Sequence, residues 1–225
     1  MCFAPYISLS TFVIEFLLAI YFLFQNPKDK LNQMIALISF LLGLYQLNEF
    51  LICVTEINLF ARFAMIVTAV LPALAVTYAL IMRRNKLKFY WHSLIYLPAV
   101  FFITMFSMPF YFTKLTVCDT VFIQYPGLGL LGKFYALYYL TYLLASAILA
   151  YLGSHDSKTK QERYLYYLGM LSMLIFTVPT VIFLFFLPMF YVQFPSVLCE
   201  FGLLLAIEFV FLLWYKEKHN ITYSY

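Results

Sequence analysis

LFARFAMIVTAVLPALAVTYALIM, residues 59–82, carries one charged side chain, Arg62, and is followed at once by RRNKLK, residues 83–88. As a helix rising about 1.5 Å per residue, a stretch of this length crosses a hydrocarbon core of about 30 Å with room at both ends. The cations that follow it then fall where lipid headgroups begin. A long apolar run ended by Lys and Arg is the unit from which the rest of the chain is read.

Six further runs are long enough to cross, at about Tyr6–Phe24, Met34–Val54, Ser93–Phe112, Gly129–Leu152, Tyr164–Leu187 and Met189–Tyr215. They are continuous, whereas barrel strands would alternate over segments of about ten residues. Helices are then the structure that satisfies the backbone in lipid. Composition agrees: 65% of the 225 residues are apolar and 11% charged, against about 45–50% and about 25% in soluble domains. The 26 Phe and 20 Tyr suit a lipid-facing surface with two aromatic belts. The fold class is therefore all-α, a seven-transmembrane-helix bundle forming a single domain over residues 1–225, with the lipid bilayer as its first partner. The net charge of +4 comes from cations dispersed in short loops, which excludes the basic face that nucleic-acid binding needs.

Orientation follows from the connections. Lys28 and Lys30 lie in the first, Arg83, Arg84, Lys86 and Lys88 in the third, Lys158, Lys160 and Arg163 in the fifth, and Lys216 and Lys218 in the tail. These are 11 of the 14 Lys and Arg, while Arg62, Lys114 and Lys133 fall on the other side. The positive side is cytoplasmic, so the N-terminus is expected outside and the C-terminus inside a cell membrane. No Lys or Arg precedes the first run and no small-residue cleavage site follows it, so it reads as a retained anchor rather than a signal peptide. Apart from about 16 residues at Thr113–Leu128, the connections are short, and no appended soluble domain or internal repeat is expected. Pro72, Pro98 and Pro179 lie within runs and free carbonyls that neighbouring helices must serve.

Several motifs are set aside by position. Gly127, Gly129 and Gly132 spell G-x-G-x-x-G but enter a membrane helix rather than follow a strand. Asn220-Ile221-Thr222 spells a glycosylation acceptor on the cytoplasmic side. His92, His155 and His219 all map to the cytoplasmic rim, away from any haem or zinc centre at membrane depth. Tyr135, Tyr138, Tyr139 and Tyr142 form a stripe at helical spacing on the fifth run, read as packing in preference to a cavity lining.

The chemistry gathers toward the outer side. Gln46, Glu49 and Cys53 are spaced 3 and 4 and share one face near the outer end of the second run. Ser196, Cys199 and Glu200 occupy the first turns of the seventh, and Glu15 and Glu208 lie deeper. Four carboxyls thus lie within runs, with no cation at comparable depth. They read either as neutral acids cross-linking helices or as a proton or cation site open to the outside. Glu49 and Glu200 are expected to face each other across a cavity, with Gln46 and Ser196 supplying hydrogen bonds. Cys2, Cys53, Cys118 and Cys199 all map to the oxidising side and allow three disulfide pairings, a thiolate metal site, or plain apolar burial.

Met1-Cys2-Phe3-Ala4, Gln46-x-x-Glu49 and Pro195-Ser196-Val197-Leu198-Cys199 resemble an uncharacterised family of multi-pass bacterial membrane proteins. Its members open Met-Cys-Phe-Ser and carry Gln-x-x-Glu-Gly in the second span and Ser-Val-Trp-Cys in the last; this chain has Ala4, Phe50 and Leu198 at the departing positions. The resemblance implies a bacterial inner membrane and a grouping of Cys2, Gln46, Glu49 and Cys199, with Cys2 and Cys199 close together. Two classes follow. One is a non-enzymatic bundle that binds a small ligand, proton or cation from outside and transports or senses it. The other is a membrane-embedded thiol-redox or metal-dependent enzyme using the four cysteines. The reading leans to the first, and no cofactor or catalytic residue set is identified.

Overall fold

The structure is a computed structural model that describes residues 4–84, 89–108, 117–118, 123–125, 128–186 and 201–223. Seven helices lie among them: α1 (Ala4–Gln25), α2 (Lys30–Thr55), α3 (Asn58–Met82), α4 (Phe89–Ser107), α5 (Gly129–Asp156), α6 (Lys160–Phe186) and α7 (Gly202–Lys218). Between α4 and α5 a two-residue ladder pairs β1 (Val117–Cys118) with β2 (Ile123–Gln124), antiparallel, with Val117 opposite Gln124. The stretches Pro5–Gln25, Lys30–Thr55, Asn58–Met82 and Gly129–Asp156 are long and apolar enough to cross a membrane, and Ser93–Ser107 is a shorter apolar helix.

Several helices extend beyond the apolar runs where polar residues stabilise their ends. Asp29 caps α2, its Oδ1 accepting from the backbone N–H of Leu31 at 2.9 Å and of Asn32 at 3.2 Å, so the helix begins a turn before Met34. At its other end Glu56 adopts the left-handed conformation, and its N–H bonds Ile52 O. Helix α5 continues to Asp156, and α6 begins at Lys160.

Helix α3 is the central element, packed against α2, α4, α5 and α6. Its small residues make this close approach feasible: Ala61, Ala64, Ala69, Ala73, Ala75 and Ala79 are all buried. Helix α7 joins the two flanks, touching α6 on one side and α1 and α2 on the other.

The tyrosine stripe of α5 packs toward the proline-bearing helices α3 and α4. Tyr138 donates to Ala69 O at 3.0 Å, three residues before Pro72, and Tyr142 donates to Ile95 O at 3.1 Å, three residues before Pro98. Tyr135 donates to Thr68 Oγ1 at 2.9 Å and Ser146 to Ala75 O at 2.8 Å. A proline removes the N–H that would serve a carbonyl one turn earlier. The carbonyls left without that N–H are those of Thr68 and Leu94, so the α5 hydroxyls bond the carbonyls next to the freed ones.

The first, third and fifth connections and the tail meet at one end of the bundle, here termed the basic end. Lys216 Nζ pairs with Asp29 Oδ2 at 3.0 Å, with both side chains at most 2% exposed, and also donates to Asn32 Oδ1. The tail folds back: Tyr223 N–H donates to Asp29 Oδ2 at 3.0 Å, and Lys30 N–H to Tyr223 O at 3.4 Å. Arg84 lies over the Tyr223 ring at 5.4 Å and reaches Glu162 at 3.4 Å, and Arg83 reaches Asp156 at 2.8 Å. Burial pushes the Tyr223 hydroxyl well above the usual phenol range, so Arg84 meets a neutral ring.

Candidate functional site

Helices α1 and α2 run antiparallel, and their register decides which polar groups meet. Ser8 lies beside Glu49, Glu15 beside Gly43, and Phe22 beside Asn32. At the end opposite the basic end, Gln46 and Glu49 are both buried on the shared face of α2. The Tyr45 hydroxyl donates to Glu49 Oε1 at 2.7 Å and lies 3.2 Å from the Tyr125 hydroxyl. Either phenol can be the donor between Tyr45 and Tyr125, and the two hydroxyls in series end on the carboxyl. Ser8 adds a longer contact to Oε2 at 3.4 Å.

Seven residues along α1 from Ser8, about 10 Å deeper, lies Glu15. It is fully buried, and neither carboxyl oxygen has a hydrogen-bond partner among the described residues. Two glycines make the space it occupies. A Cβ on Gly43 would meet the Glu15 Cβ at 3.3 Å, and a Cβ on Gly202 would fall 2.6 Å from Glu15 Oε1. The carboxyl therefore sits in a slot formed by α2 and the start of α7, and any larger residue at 202 would push it out.

Glu208 is also buried but joins different company. It lies six residues, about 9 Å, beyond Gly202 toward the basic end. Its Oε2 accepts from Ser172 on α6, while Oε1 has no partner among the described residues. The buried hydroxyl of Tyr78, on α3, lies near Ser172 and Glu208, and Gly169 leaves room for it, since a Cβ there would meet it at 3.1 Å.

Cys53, at the end of the shared α2 face, is disulfide-bonded. Strand β1, which ends at Cys118, packs against α2. Cys2, Ser196, Cys199 and Glu200 lie outside the described residues, and so do the expected Glu49–Glu200 pairing and the Cys2–Cys199 approach. Among the described residues no three His, Cys, Asp or Glu side chains gather as metal ligands.

Sequence reasoning placed Glu49 and Glu15 on the right helices but missed Ser8, Tyr45, Tyr125, Gly43 and Gly202. Tyr45 had a readable signal, four residues before Glu49 on the same face. Tyr125 had none, because its approach depends on how the α4–α5 connection returns over the bundle.

The fold and these sites define a helical class of protein with, among the described residues, four helices long and apolar enough to cross a membrane and with buried carboxyls among its apolar helices. Compared with known proteins, the chain matches no family model, no curated protein and no solved structure.

Proposed function

We propose that the chain crosses the membrane seven times, N-terminus outside, and that its outer half binds a proton or small cation used in transport or sensing. The observation that carries this reading is Glu15, a fully buried carboxyl with both oxygens unpartnered among the described residues, in a slot left by Gly43 and Gly202. An uncompensated carboxylate at membrane depth is costly, so the group holds a proton or a cation. Glu49, with its Tyr45–Tyr125 relay, stands between this slot and the outer end. Gln46, Ser196 and Glu200 complete the outer site in this reading, on which the grouping implied by the family resemblance also bears. The convergence of the basic connections at one end supports the orientation, with that end cytoplasmic.

The thiol-redox or metal reading is less well supported, because Cys53 is already oxidised in a disulfide.

Two measurements test the reading. A cysteine placed at Lys158 should react with a membrane-impermeant maleimide only after the cytoplasmic face is opened; labelling in intact cells refutes the orientation. For the site, melting of the full chain in detergent is followed against pH and against single cations. The wild-type Tm should move with pH or with one cation, and Glu15→Gln and Glu49→Gln should keep the fold while flattening that response. A wild-type Tm indifferent to both, or Gln variants that track the wild type, ends the proton or cation site.

A further inference from the structure

Helices α6 and α7 splay apart on the outside of the bundle and leave a fissure of about 420 Å³ between them. Its walls are apolar and aromatic, including Leu171, Ile175, Leu204 and Phe211, and none of the described lining residues is Lys or Arg. Leu171, Leu204 and Phe211 are all exposed, so the fissure opens on the surface that faces lipid in the seven-span reading. One lining residue is out of keeping with that setting. Glu208 is 6% exposed, with one oxygen held by Ser172 and the other without a partner among the described residues.

We propose that this fissure is a binding site for a membrane-dissolved long-chain amine, whose head Glu208 holds and whose chain lies along the apolar walls. The argument is one of complementarity. A buried carboxyl oxygen in an apolar cleft calls for a polar partner, and water from the bilayer core does not supply it. Lys218 stands at 4.9 Å over the ring of Trp214, itself six residues past Glu208 toward the basic end, so an anionic head beside Glu208 would meet a carboxyl and no cation among the described lining residues. An amine meets every feature at once. It enters as the neutral base and takes the proton of the carboxylic acid. The resulting ammonium–carboxylate pair brings no net charge into the membrane. Phe211 and Tyr215 lie three and seven residues after Glu208, on the same helix face, and line the fissure with aromatic rings of the kind that attract an ammonium. At the end of the fissure toward the basic end, the Tyr164 and Tyr215 rings meet at 4.7 Å and close it. The site is separate from the Glu15 and Glu49 site and does not depend on it.

The test uses the purified full chain in phosphatidylcholine nanodiscs and three photoreactive probes with the same diazirine-bearing alkyl chain, ending in a primary amine, an alcohol or a carboxylic acid. The amine should label α6 and α7 peptides saturably, and excess hexadecylamine should suppress that labelling. Glu208→Gln should lower it at least tenfold. Leu204→Trp fills the fissure while leaving Glu208 in place, and should lower it comparably, so the test survives if the Glu208 variant fails to fold. Non-saturating labelling spread over all helices means ordinary lipid contact and overturns the proposal. So does equal labelling by the alcohol, or labelling by the amine that ignores both substitutions. An unlabelled fissure in a chain that elutes as a dimer assigns it to a second copy and also overturns the amine site.

Discussion

The basic end and the middle of the bundle treat buried charge in opposite ways. At the basic end Asp29 is met by Lys216, by the backbone N–H groups of Leu31 and Asn32, and by the N–H of Tyr223, and Lys216 has Asn32 as a second partner. In the middle, Glu15 has no partner among the described residues and Glu208 has one. Paired, hydrogen-bonded charges hold elements in register, whereas an acid left open costs stability and persists where it has something to bind. The first arrangement fastens the tail and the first connection together. The second is suited to exchange.

The comparison is broken most directly at Lys216. Lys216→Met should cost about 3–5 kcal/mol, because it leaves Asp29 buried without its cation. Asp29→Asn keeps a good helix cap, so the double variant Asp29→Asn with Lys216→Met should recover a large part of that loss. Unfolding of the three variants in mixed micelles measures it, and a Lys216→Met chain as stable as the wild type would show that the pair holds nothing. A smaller effect is expected at Gly153. A Cβ there would fall 2.5 Å from the Tyr166 ring, whose hydroxyl is anchored on Met82 O at 2.7 Å. The ring has no easy retreat, so Gly153→Ala should cost about 1–3 kcal/mol. An unchanged unfolding midpoint would show that the α5–α6 contact at this end is looser than the distances imply.

The helices were legible because long apolar runs are written contiguously, although residues 189–200 of the seventh run lie outside the described residues. Residues 59–82 announce a helix without reference to any other part of the chain, and α3 ends at Met82. The meeting of Arg84, Lys216 and Glu162 at one end was implicit in the spacing of basic connections. Pairwise chemistry was not legible. Asp29 and Lys216 each look like a solvated loop charge until α7 is laid beside α2 and the tail folds over both. The Glu15 slot needed the register of α1 on α2 and the placement of Gly202, which come from side-chain packing that periodicity does not encode. The proline turns were legible only in part: Pro72 and Pro98 free the carbonyls of Thr68 and Leu94, whereas the Tyr138 and Tyr142 hydroxyls bond the neighbouring carbonyls of Ala69 and Ile95.

The smallest expected effect sharpens the comparison most. Glu15→Gln removes a charge-bearing group that, unlike Asp29, has no partner among the described residues to lose. Its stability should therefore change by less than about 0.6 kcal/mol, the average for one polar side-chain interaction between membrane helices. Glu15→Met goes further: it fills the slot between Gly43 and Gly202 with an apolar chain of similar length and relieves a buried, unsatisfied carboxyl. That variant should melt above the wild type and lose its response to pH or cation, since activity and stability compete at a site kept open for a ligand. Unfolding and the cation-dependent Tm shift, measured on both variants, read the two quantities separately. A Glu15→Gln loss approaching that of Lys216→Met would mean that Glu15 is a structural cross-link after all, and the contrast between the two regions would collapse.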